Sequence, residues 1–130
     1  MNQSKINDQA GSHLTIFVVD DEPMLLDLAA AILKPLGYNV RTFRDPKAAL
    51  AELSSAKPAV VVTDYAMGGM TGMRLIQECR RVNPLQKTML LSGTVDQGIC
   101  DEDSAKPDLF MAKPYQVAEF VKSVQHLAGS

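Results

Sequence analysis

Asp20 and Asp21 are adjacent carboxylates that close an apolar run, and Asp64, Ser92 and Lys113 each stand at the end of a further one. Carboxylates gathered in one place repel one another, which raises some of their pKa values. A hard divalent cation such as Mg2+ relieves that repulsion through oxygen ligands, while keeping several waters and sharing phosphate oxygens. Phosphoryl transfer needs its equatorial oxygens neutralised and its nucleophile held in line. A cation, a lysine and a hydroxyl donor meet the first need. A carboxylate nucleophile, which forms an acyl phosphate, meets the second. Each residue alone has a plainer role: Asp20 and Asp21 as caps of the next helix, Asp64 as a turn residue, Ser92 as a structural hydroxyl, Lys113 as a solvated charge. Their coincidence at successive strand ends is what points to one site.

The elements that must bring them together can be traced along the chain. Leu14 to Val19 (LTIFVV) is a short, continuous apolar run rich in β-branched residues, as expected of a strand buried on both faces. Pro23 suits the first turn of a helix, where its missing N–H is not needed. Leu25, Leu28, Ala29, Ile32, Leu33 and Leu36 then recur at helical spacing until Pro35 and Gly37. Tyr38 to Phe43 alternates, as a less buried strand would. Asp45-Pro46 is a cap followed by a preset dihedral, and it opens a helix carrying Ala48, Ala49, Leu50 and Leu53. Ala59 to Thr63 (AVVVT) is again of the buried strand type, with Asp64 at its end. After a loop rich in glycine and methionine, a third helix places Leu75, Ile76, Cys79 and Val82 on one face and ends at Asn83-Pro84. Thr88 to Ser92 and Asp108 to Ala112 complete the strands, and Val117, Phe120, Val121, Val124 and Leu127 mark a last helix. Between those two strands, residues 94–107 are acidic and poorly patterned, which predicts a short or poorly formed helix. Alternating buried strands and amphipathic helices imply an α/β fold: a doubly wound, five-stranded parallel sheet with helices on both faces. In such a sheet ligands bind beyond the carboxyl ends of the strands, where all five polar side chains would lie.

The 130 residues suit one domain, and 46% of them are apolar, enough for a sizeable core. Net charge is −2 with no basic block, so nucleic acid has no electrostatic footprint to bind. The apolar runs are far short of a membrane span, and residues 1–13 are polar and lack the apolar stretch of a secretion signal, so they read as a flexible tail ahead of a domain at 14–128. Cys79 and Cys100 have no close spacing, which argues against a disulfide scaffold or zinc site and fits a reducing, cytoplasmic compartment.

Four segments, VVDDEP at 18–23, VVTDYAMGGMTG at 61–72, LLSGT at 90–94 and LFMAKP at 109–114, are together specific, and the chain through them resembles the receiver domain of bacterial two-component response regulators. The resemblance implies a CheY-like sheet of strand order 2-1-3-4-5. It implies that Asp64 is the phosphoacceptor, that Mg2+ (with Mn2+ able to substitute) is held by Asp20, Asp21, Asp64 and the backbone carbonyl of Ala66, and that Ser92 and Lys113 contact the bound phosphoryl group. It further implies a cis Lys113-Pro114 bond, which proline permits at low cost, and a switch in which Ser92 moves inward and Phe110 rotates. Core packing is the plainer role for Phe110. The donor would be a phosphohistidine on a histidine kinase or phosphotransfer protein, the role that of a switch rather than a metabolic enzyme, and the output a protein contact. The chain would be a stand-alone regulator, a phosphorelay shuttle, or part of a larger regulator or hybrid kinase.

Departures from the family pattern are informative. Met67-Gly68 replaces the usual Met-Pro, and with Gly69 alongside predicts a more flexible loop. Gly93 replaces the usual alanine, and the acidic 94–107 stretch is atypical of the family's signalling face. Ala66 and Thr94, two residues past Asp64 and Ser92, occupy positions where relatives often orient water. Alanine cannot, which predicts slow to moderate loss of the phosphoryl group. A haloacid-dehalogenase-type phosphohydrolase would need Asp-x-Asp after the first strand, and a nucleotide-binding protein a glycine-rich turn there; DDEPM supplies neither. An interaction module that is never phosphorylated would not need the complete set of site residues.

Overall fold

The computed structural model describes residues 14–93 and 106–129. The readings of the 1–13 tail, of Thr94 and Cys100, and of a helix within 94–105 fall outside the described residues. Five strands, β1 (Thr15–Val19), β2 (Asn39–Phe43), β3 (Val60–Asp64), β4 (Lys87–Ser92) and β5 (Leu109–Ala112), form one parallel sheet in the order β2-β1-β3-β4-β5. Helices α1 (Pro23–Leu33), α2 (Pro46–Ala56), α3 (Gly72–Val82) and α4 (Val117–Ala128) cover it.

The covering follows from strand alternation. Ile16, Val18, Val60, Val62, Met89 and Leu91 face one side and meet Leu26, Ala29 and Leu33 of α1 with Phe120, Val124 and Leu127 of α4. Phe17, Val19 and Val61 face the other and meet Ala49 and Leu53 of α2 with Leu75 and Cys79 of α3. Strands buried on both faces read as near-continuous apolar runs, and β1 and β3 are buried throughout except at Thr15, with the polar Thr63 and Asp64 only at the end of β3. The edge strands β2 and β5 have no fully buried residue, as edge positions allow.

Local chemistry sets the element ends. Pro23 and Pro46 occupy first-turn positions, and the Asp45 side chain accepts the Lys47 N–H as a cap. After α1 the chain tightens into a 3₁₀ turn, Lys34–Leu36, and stops at Gly37, whose φ of 98° is left-handed. The α1 stripe differs from the spacing in the sequence: Leu28 and Leu36 are exposed, and Leu26 is buried in their place. Apolar residues run nearly all round PMLLDLAAAIL, so periodicity alone leaves the helix phase undetermined, and contact with the sheet selects it. Val82 and Val117, also assigned to buried faces, lie exposed at helix ends.

Candidate functional site

Strand register brings the polar residues to one edge. Val19 pairs with Thr63, Asp64 with Leu91, and Ser92 with Ala112, so β1, β3, β4 and β5 end level with one another. Backbone bonds carry the register past the strands: Asp20 N–H donates to the Phe43 carbonyl, Tyr65 N–H to Leu91, and Lys113 N–H to Ser92. Asp20, Asp21, Asp64, Ser92 and Lys113 therefore share the carboxyl edge, with Ala66 in the exposed loop after β3.

The carboxylates of Asp20, Asp21 and Asp64 each offer an oxygen, and these lie within 4.8 Å of one another. Asp20 and Asp64 are buried and Asp21 is exposed. Lys113 Nζ is 2.8 Å from Asp64 Oδ1 and 3.9 Å from Asp20 Oδ2. One ammonium thus faces three carboxylates, leaving an uncompensated negative cluster of the kind that hard cations fill. Burial raises the Asp20 pKa; a hydrogen bond from the Glu22 N–H opposes this, and the charges of Asp64 and Asp21 add to it. Burial works against the Lys113 charge, but the Asp64 hydrogen bond and the charges of Asp64, Asp20 and Glu22 outweigh it and raise its pKa. The helix-cap role does not account for the acidic pair: the N-cap of α1 is Glu22, and its side chain makes no capping bond.

Ser92 is buried, and its hydroxyl donates to the Gly93 carbonyl. The Lys113-Pro114 bond is cis. Phe110 is 37% exposed, so it is not packed in the core. Tyr115 stacks on buried Phe120 with ring centroids 4.7 Å apart, which fixes the backbone just past Lys113. Cys79 is buried among apolar side chains, and that burial pushes its thiol up to about 12, as suits a packing residue rather than a nucleophile.

Two supports lie beyond the sequence reading. Gly72 opens α3 directly over β3: its N–H donates to the Tyr65 carbonyl, and a Cβ there would collide with the Asp64 carbonyl oxygen and the Leu90 side chain. The GMTG segment carried a hint, because a glycine at a strand-to-helix turn permits close helix–strand packing. Arg80 ties α3 to the start of β5, donating to the Gln86 and Lys106 carbonyls, to Thr88 Oγ1 and to Asp108 Oδ2. Asp108 in turn accepts the Thr88 N–H at 2.7 Å. Lys106 and Asp108 lie 26 and 28 residues from Arg80, so spacing carried no signal for the tie to β5.

Comparison with known proteins agrees with this geometry. A family model described as the response regulator receiver domain matches residues 16–125. The probable transcriptional regulatory protein TcrX of Mycobacterium tuberculosis is 30% identical over 119 residues, covering 90% of this chain and 50% of that protein. The nitrogen assimilation regulatory protein NtrX of Azorhizobium caulinodans is 36% identical over 80 residues, which are 60% of this chain and 18% of that one. This chain thus spans half or less of the length of these two relatives. Among solved structures, the response regulator protein TrrA of Thermotoga maritima, determined in complex with Mg(2+)-BeF, superposes with a TM-score of 0.80 at 28% identity, covering 88% of this chain and 99% of that one. A CheY-like receiver domain protein of Methanospirillum hungatei shares the fold with a TM-score of 0.81 at 21% identity, over 91% of this chain and 95% of that one.

Proposed function

This chain belongs to the response regulator receiver domain family, the phosphoacceptor modules of two-component systems, and on that premise we propose that Asp64 is its phosphoacceptor. The observation that carries the proposal is the convergence of Asp20, Asp21 and Asp64 within 4.8 Å, with Lys113 Nζ 2.8 Å from Asp64 Oδ1.

In this reading an Asp64 carboxylate oxygen attacks the phosphorus of a phosphohistidine on a kinase or phosphotransfer protein. An O–P bond forms as the P–N bond breaks, and the bond's electron pair leaves on the imidazole. Lys113, already at Asp64, moves its hydrogen bond to the incoming phosphoryl oxygens, and the Ser92 hydroxyl leaves the Gly93 carbonyl to donate to the same group. That movement opens space for Phe110, whose half-exposed ring then turns inward and alters the β5 surface read by a protein partner. The donor set fits a hard divalent cation, Mg2+ or in its place Mn2+, held by Asp20, Asp21, Asp64 and the Ala66 carbonyl; when bound it would neutralise phosphate oxygens. The domain at 14–128 is a regulatory phosphoacceptor that assists its own phosphorylation and dephosphorylation, not a metabolic enzyme. It acts in the cytoplasm, where kinase domains carry the phosphohistidine, alone or within a longer regulator such as its relatives are. Among the described residues no helix is long and apolar enough to cross a membrane.

Phosphotransfer from a panel of phosphorylated histidine kinases and phosphotransfer proteins tests this. Label should reach the parent chain and not Asp64→Asn. A panel that labels other receivers but never this chain would favour an interaction module that is not phosphorylated.

A further inference from the structure

Among the three carboxylates, Asp20 and Asp64 are buried and fastened by Lys113 and, for Asp20, by the Glu22 N–H. Asp21 is the exposed member, and its side chain would turn freely but for one contact: the Gly68 N–H donates to Asp21 Oδ2 at 3.3 Å. Among the described residues this is the one hydrogen bond that the Asp21 carboxylate accepts. Gly68 stands where the family pattern usually has proline, and a proline has no N–H to give. The bond therefore depends on a residue other than the proline usual at that position.

We infer that the Gly68 backbone N–H is a positioning group for the metal pocket, holding the Asp21 carboxylate toward its two neighbours and tying the loop after β3 to the end of β1. Three observations support this. The carboxylate oxygens lie within 4.8 Å of one another with the bond in place, so it is compatible with a closed ligand set. The bond uses one oxygen of Asp21 and leaves the other for a cation. It also joins two separate donors, because Gly68 is two residues from Ala66, whose carbonyl is the proposed backbone ligand. An exposed side chain held beforehand loses less rotamer freedom on binding, which is the usual gain from preorganisation. The flexibility expected of a Gly68-Gly69 pair is thus offset at one point: Gly69 takes the left-handed φ of 89°, while Gly68 needs no positive φ and keeps its N–H engaged.

This rests on the metal-binding reading above, and the test separates the two. Mg2+ binding to the full chain is titrated calorimetrically for the parent, Gly68→Ala and Gly68→Pro. A Cβ at Gly68 meets nothing within 4 Å, so the alanine variant keeps the N–H without a clash while stiffening the loop. The parent and Gly68→Ala should bind alike, and Gly68→Pro roughly three- to tenfold more weakly, as befits one hydrogen bond at an exposed carboxylate. Equal affinity in all three, or equal weakening in both variants, overturns the inference while leaving the metal reading intact. No binding by the parent overturns both. If Gly68→Pro is misfolded by circular dichroism, hydrogen exchange of the Gly68 amide decides: faster exchange in Asp21→Ala than in the parent supports the bond, and equal rates overturn it.

Discussion

Asp20 shows how a residue can be costly to the fold and still be kept among the carboxylates that could hold a metal ion. Its pKa is raised chiefly by burial, so its charged form is less favourable in the folded chain than in the unfolded one. By linkage, the stability this group contributes is full below its ordinary value of 3.8 and is lost as pH rises through its raised value. Asp20→Asn, which keeps an acceptor for the Glu22 N–H, should therefore melt higher than the parent at neutral pH without metal. It should also lose most of the thermal stabilisation that added Mg2+ gives the parent, itself about 2.7 kcal/mol at a hundredfold excess over the dissociation constant. Melts with and without Mg2+ check both parts; an asparagine variant less stable than the metal-free parent would contradict the first. On the proposal that Asp64 is the phosphoacceptor, Ala66, exposed and two residues past it, carries no group to orient a water, so Ala66→Asn should lose the phosphoryl group faster, several-fold in half-life, by timed intact-mass measurement after donor removal. Unchanged decay would sink the idea that this position sets lifetime.

The helices hold the site by their ends. α3 starts at Gly72 because only hydrogen fits between its first turn and the Asp64 carbonyl. Gly72→Ala should cost roughly 1–3 kcal/mol by overpacking and should slow phosphorylation as well, because the helix must move away from the strand that bears Asp64, the proposed acceptor. Denaturant midpoints and phosphorylation rates report the two effects; an alanine variant as stable as the parent would show that α3 has more room than the structure gives it. At the far edge, Lys57 ends α2 in the left-handed region with φ of 48°, donating its N–H to the Leu53 carbonyl. A side chain there costs about 1 kcal/mol or more relative to glycine. Lys57→Gly should raise stability by up to about 1 kcal/mol with no effect on phosphorylation, since it lies at the opposite end of the sheet; a loss of stability would contradict the strain assigned to Lys57.

Across the whole molecule, much of this was legible in the sequence because the determinants are local. The continuous apolar runs of β1 and β3, the Asp45-Pro46 cap and the Pro35/Gly37 stop mark their elements without help from tertiary contact. Asp20, Asp64, Ser92 and Lys113 could be placed together because parallel strands of similar length end at one edge. What escaped notice depends on contacts between distant residues. The phase of α1 is set by the sheet, since its own apolar residues circle the helix. The Gly72 contact and the Arg80–Asp108 tie join segments whose proximity no spacing encodes, and the Gly68 N–H matters only because Asp21 is brought to it. The proposed roles of Ala66 and Phe110 come from the family resemblance: nothing in the spacing alone distinguishes them from their neighbours.

In the proposed function, this pocket places a phosphoryl group on Asp64. The direct test is intact mass of the full chain after incubation with acetyl phosphate or phosphoramidate, with Mg2+ and with chelator, for the parent and for Asp64→Asn. The parent should gain the mass of one phosphoryl group, dependent on Mg2+, and the variant should not. Equal labelling of Asp64→Asn would contradict the proposal by placing the acceptor elsewhere, and so would a parent that no small donor or phosphorylated kinase can label.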